Sequence, residues 1–132
     1  MKTRLYLAVG LWVALPLVSG CRKKGISAEL AAFKDAGRSV SAFVDADASV
    51  MQAKRCQQGT IDKMSVLLCE YGSRDAASSG VRSAAQWAGE CGTWLALQRY
   101  KVVFAVADRA ELDENGKTVA ALTKVFRRQA KK

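Results

Sequence analysis

Four cysteines, three acids on one short stretch and no histidine at all set the chemistry open to this 132-residue chain. Without histidine it lacks the usual general base, the Ser-His and Cys-His nucleophile pairs and most transition-metal sites. The cysteines, at 21, 56, 69 and 91, have no C-x-x-C spacing, so zinc is not expected, and neither is any other metal or cofactor. Cys91 is a reactive thiol only if a helix end or a nearby base lowers its pKa; otherwise it is a small buried residue at the start of a strand, the reading preferred here. Asp108, Glu111 and Asp113 follow a strand candidate, and paired carboxylates can serve glycoside chemistry. Acids at a strand end more commonly cap the next helix or stay solvated. No catalytic residue is assigned, and the chain is read as not an enzyme.

Two partial motifs fall short. Glu111-x-Asp113-x-Asn115-Gly116 has the opening spacing of a calcium loop. Leu122 stands where the bidentate glutamate belongs, and Lys117 places a positive charge in the ring, so a turn capping the following helix is the better account. Gly116-Lys117-Thr118 has the closing residues of a phosphate-binding loop, but Glu111 occupies its first glycine position. Trp87, Trp94, Tyr100 and Phe104 can line a ligand groove, although at their spacing a core role is the simpler one.

Cys21 is set apart by what precedes it. Lys2 and Arg4 form a short basic start, Leu5 to Val18 is uncharged and mostly apolar, and Val18-Ser19-Gly20 places small residues before the cysteine. The apolar run is shorter than the ~20 residues of a membrane span, and Pro16 interrupts it. Val18-Ser19-Gly20-Cys21 resembles the lipobox of bacterial lipoproteins. That resemblance implies a signal peptide over 1–20, acylation of Cys21, which becomes the new N-terminus, and a short tether over 21–26. It further implies a lipid-anchored protein of the cell envelope, with Arg22 rather than aspartate after the anchor pointing to the outer rather than the inner membrane. Several acyl chains hold where one is marginal.

Removal of 1–20 leaves 19 bases against 12 acids, a net charge of +7 in place of +9. Part of the excess, Arg22, Lys23 and Lys24, lies beside the anchor, where each base gains about 1 kcal/mol near anionic lipid. A second cluster at the C-terminus contains Lys124, Arg127, Arg128, Lys131 and Lys132. A basic protein suggests nucleic acid, but the exported address argues against that partner. The membrane itself, an anionic envelope component or another envelope protein fits better, and Lys124, Arg127 and Arg128 are the candidate contact residues.

The elements that must hold these groups follow from periodicity. One domain is expected over 27–132. Ser27 to about Lys54 is Ala-rich with helical spacing (Leu30, Phe33, Val40, Phe43, Val44), predicting two helices or one bent at Gly37, capped by Ser27 with Glu29 in the first turn. Met64–Tyr71 predicts a strand, Arg74–Ala88 a helix, Thr93–Leu97 and Val102–Ala107 two strands, and Lys117 to about Gln129 a helix. Val102–Ala107 is apolar on both faces, which marks a central, covered strand. The order predicts an α+β fold: a small, mainly antiparallel sheet with helices on one face, a variant of the split β-α-β theme, preceded by an N-terminal helical segment.

That layout constrains the disulfide. With Cys21 acylated, Cys56, Cys69 and Cys91 can form one intramolecular bridge in an oxidising compartment. A two-residue turn at Asp62-Lys63 sets Ile61 opposite Met64 and, five pairs farther back, Cys56 opposite Cys69. That position is of the non-hydrogen-bonded kind, with Cα atoms ~4.5 Å apart, which a disulfide tolerates. Against it, Asp-Lys is not a favoured turn and Gln57-Gln58-Gly59 is poor strand sequence. Cys56–Cys91 or no bridge are the alternatives. The mature region also looks similar to bacterial lipoproteins of no assigned activity, over Cys56–Tyr71 and from Ala107-Asp108-Arg109 through Gly116-Lys117. The resemblance implies no mechanism. The resulting reading is a non-enzymatic binding or interaction module; a small-molecule or peptide binding module using the aromatics and a thiol-dependent redox protein using Cys91 are the alternatives.

Overall fold

A computed structural model describes residues 25–89 and 92–128. In chain order these form α1 (Ile26–Asp35), β1 (Val44–Ala46), β2 (Arg55–Ile61), β3 (Met64–Glu70), α2 (Arg74–Ala88), β4 (Trp94–Arg99), β5 (Val102–Ala107) and α3 (Lys117–Arg128). The strands make one sheet in the order β1-β2-β3-β5-β4, with every neighbouring pair antiparallel. The class is therefore α+β, as the sequence predicts. Because β5 lies between β3 and β4 and opposes both, β3 and β4 run parallel with α2 as their crossover, a split β-α-β unit.

The expectation of helices on one face needs correction. Every residue of β5 is buried, so both faces of the sheet must be covered. Val102, Phe104 and Val106 join Val66 and Leu68 of β3 against Ile26 and Phe33 of α1 and Val119, Leu122 and Phe126 of α3. Val103 and Ala105 join Leu67 and Cys69 against Ala77 and Ala84 of α2 on the other face. Phe33, Phe104 and Phe126 stack across the first layer, with ring centroids 5.6 and 5.0 Å apart. Burial of each such ring contributes about 2 kcal/mol. The α2 layer is built from alanines, so that helix can lie close to the sheet. Gly80 completes this closeness, because a Cβ there would collide with the Tyr71 ring, whose hydroxyl donates to the Met51 carbonyl at 2.9 Å. A glycine weakens a helix interior, and here it is the seat of a buried tyrosine.

The helix expected to reach Lys54 stops at Asp35. Gly37, at φ 81°, allows the Arg38 N–H to bond back to the Phe33 carbonyl at 3.0 Å and ends α1. The Asp62 carboxylate in the β2–β3 turn then captures the outgoing chain, accepting from the Ser39 N–H (2.9 Å) and the Arg38 guanidinium (3.1 Å). Val40 bridges to Ile61, and Val44–Ala46 becomes an edge strand. The apolar residues at 40, 43 and 44 thus serve a strand-like path rather than a helix. Ser27 is not the cap either. Gly25, at φ 76°, precedes the helix without a side-chain bond, and the Glu70 carboxylate, 44 residues away, accepts the Ile26 N–H at 2.6 Å.

Candidate functional site

The β2–β3 hairpin is built on Asp62 and Lys63, both in the left-handed region (φ 50° and 69°), as a two-residue turn of mirror-image type requires. Its register pairs Ile61 with Met64 and Cys56 with Cys69. The two cysteines are buried and joined by a disulfide, with Cα atoms 4.1 Å apart. Cys21, Cys91, the bases at 22–24 and Lys131 and Lys132 lie outside the described residues.

Two of the three acids after β5 organise the chain around them. Asp108, almost fully buried, accepts the N–H groups of Leu112 (2.9 Å) and Asp113 (2.7 Å) instead of pairing with Arg109 or a base of α3. Asp113, also buried, accepts the N–H groups of Thr118 (3.0 Å) and Val119 (2.9 Å) at the start of α3. Burial acts to raise its pKa, but these backbone donors outweigh it and hold the carboxyl below the usual range. Both oxygens of Asp108 are thus committed to the loop after β5 and both oxygens of Asp113 to capping α3, in line with the turn-and-cap reading of this stretch. Glu111 is exposed.

The aromatics divide. Phe104 is in the core, whereas Tyr100 and Trp94 are about half exposed, at 50% and 42%. Trp87, half-buried near the end of α2, is covered by the Arg109 guanidinium at 4.7 Å from its ring centre, and the same guanidinium donates to the Trp87 carbonyl. This pair forms one wall of an open groove of about 350 Å³. Its floor is the part of the sheet that α2 leaves uncovered, with Gln58 and Thr60 of β2, Ser65 of β3 and Val44 of β1. Gln58, the polar residue that makes Gln57-Gln58-Gly59 unpromising as a strand, is a floor residue here. Gly59 gives way on the opposite face to the Phe43 ring, which a Cβ would strike.

Lys124, Arg127 and Arg128 are exposed on the side of α3 opposite Val119, Leu122 and Phe126, so the three candidate contact residues share one helix face. Sequence reasoning misses the strongest electrostatic feature. Glu29, predicted as a first-turn acid of α1, is 2% exposed and ion-paired to Arg99 at the end of β4. Its Oε2 is buried with no hydrogen-bond partner among the described residues. Desolvation raises its pKa to about 7 against the opposing charge and hydrogen bond of Arg99. The sequence separation of 70 between the partners leaves no local signal that could have found the pair.

No described helix is long and apolar enough to cross a membrane. No family model, curated protein or solved structure matches the chain.

Proposed function

We propose that this chain is a bacterial lipoprotein, acylated at Cys21, whose α+β domain is a non-enzymatic interaction module of the cell envelope. The anchor rests on the lipobox-like Val18-Ser19-Gly20-Cys21 and the basic and apolar residues before it. The observation that carries the interaction reading is the uniform face of Lys124, Arg127 and Arg128 on α3. Exposed bases on one helix face steer anionic partners and hold them in a salt-dependent way. Crosslinking in intact cells, followed by identification of the captured species, tests this reading directly. Replacing all three bases by glutamate is expected to lower capture of an envelope partner at least tenfold. Capture indifferent to both the substitutions and salt would remove the basic face from consideration.

The groove beside α2 favours a second reading, a module for a small polar molecule or peptide. Arg109 and Trp87 on its wall, with Gln58, Thr60 and Ser65 on its floor, offer a cation, an aromatic edge and hydrogen-bonding groups together. A ligand seated there should change tryptophan emission. Arg109→Ala and Gln58→Ala should abolish that response, and a response that survives both would place the ligand elsewhere.

A further inference from the structure

Six of the exposed bases of this domain meet at one end of the molecule, the end at which the chain arrives from Cys21. Arg99 fixes that geometry. It is ion-paired to Glu29 in the first turn of α1, and its guanidinium lies 5.3 Å from the centre of the Phe126 ring in the last turn of α3. The start of α1 and the end of α3 therefore lie side by side. Glu70 extends the same end across the sheet, since it pairs in register with Arg55 and Val102 while its carboxylate holds the Ile26 N–H. The Lys54 N–H bonds to the Glu70 carbonyl and the Tyr71 N–H to the Lys101 carbonyl, while Arg74 lies 4.5 Å over the half-exposed Tyr100 ring. Six exposed bases thus share this end: Lys54, Arg55, Arg74, Lys101, Arg127 and Arg128. The exposed acids nearest them are Asp75 in the first turn of α2 and Asp47 after β1. The opposite end mixes Asp35, Asp62, Glu111 and Glu114 with its own bases.

Resting on the reading of Cys21 as the acylated residue, we propose that this basic end is a docking surface for an anionic phospholipid bilayer, so that the anchor and the domain engage the same membrane. Five residue steps separate Cys21 from Ile26, and an extended chain covers at most ~18 Å in that many. The end carrying Ile26 is therefore confined close to the headgroups, where the surface potential acts on every exposed base. Tyr100 has the amphipathic character of residues that settle at headgroup level. Charge complementarity and the short connection select the bilayer that carries the anchor over a distant polymer or protein.

The test uses the full chain isolated from membranes and mixed with vesicles of phosphatidylcholine alone, or of phosphatidylcholine with phosphatidylglycerol. Flotation reports the anchor, and acylation of individual lysines by a water-soluble amine reagent reports orientation. The expected result is flotation with both vesicles and, only where phosphatidylglycerol is present, about fivefold or greater protection of Lys54 and Lys101, with Lys34 and Lys63 at the far end unchanged. High salt and the R127E/R128E variant should reduce the protection. Flotation with equal labelling at both ends overturns the docking surface and leaves the anchor standing. Flotation only with phosphatidylglycerol, with the same lysines protected, overturns the anchor and supports the surface. Failure to float with either vesicle overturns both.

Discussion

Replacing Cys56 and Cys69 together by alanine is expected to lower the stability of the folded domain by about 3 kcal/mol, read from urea denaturation as a lower midpoint with a steeper slope, because the uncrosslinked unfolded chain exposes more surface. The bridge closes a short loop, with a sequence separation of 13, and its main effect is to restrict the unfolded chain. Both thiols are buried in the layer beneath α2, beside Leu67, Tyr71 and Val103, so alanine also leaves a small void there. Either single substitution should cost about as much as the double, because each already removes the bridge. Cys91→Ser separates this pairing from the alternative. A loss comparable to that of Cys56→Ala would mean that Cys91 is the true partner of Cys56, and a near-neutral result supports the pairing with Cys69.

That pairing shows what kind of information the sequence carries. Hairpin register is local, so a turn at Asp62-Lys63 fixes every opposed pair out to Cys56 and Cys69. Asp62 and Lys63 are unfavourable turn residues, and they are held in left-handed conformations because the Asp62 carboxylate also secures Arg38 and Ser39. α2 and α3 are legible for a similar reason: apolar spacing and the Ser73 and Asp113 caps all lie within or next to the helix. The path from Arg38 to Ala53 is not. Val40, Phe43 and Val44 have helical spacing, and only contacts with Ile61 and the outer edge of β2 draw them into extended chain. The two-sided covering of the sheet is half legible, since Val102–Ala107 is apolar on both faces but nothing in it says which helix takes which face. The basic end is illegible for a stronger reason: its six bases come from four separate stretches of the sequence and converge only through the topology.

The ion pair of Glu29 and Arg99 leads to the second large effect, a domain that becomes more stable as the solution is acidified from pH 8 to about 5. Glu29 is buried with one oxygen bonded to Arg99 and the other without a partner among the described residues, and desolvation raises its pKa from 4.5 to about 7. In the unfolded chain the same carboxyl ionises near 4.5. Between these values the folded protein holds a proton that the unfolded chain has released, so lowering the pH through this window favours folding. Above pH 7 both states are ionised and the folded state bears the whole cost of the desolvated charge, on the order of 3 kcal/mol relative to pH below 4.5. At lower pH the trend reverses as Asp113, held below its ordinary pKa by the N–H groups of Thr118 and Val119, takes up a proton and loses its hold on α3. The stability maximum is therefore expected near pH 5. Urea denaturation at several pH values gives the curve directly, and Glu29→Gln should flatten its upper limb whatever that variant does to absolute stability. A wild-type curve that is level between pH 8 and 5 would show that Arg99 compensates the buried carboxylate in full. The opposite slope would mean that the pair, rather than burial, governs Glu29, and that α1 is held at its first turn by charge attraction instead of in spite of a buried charge.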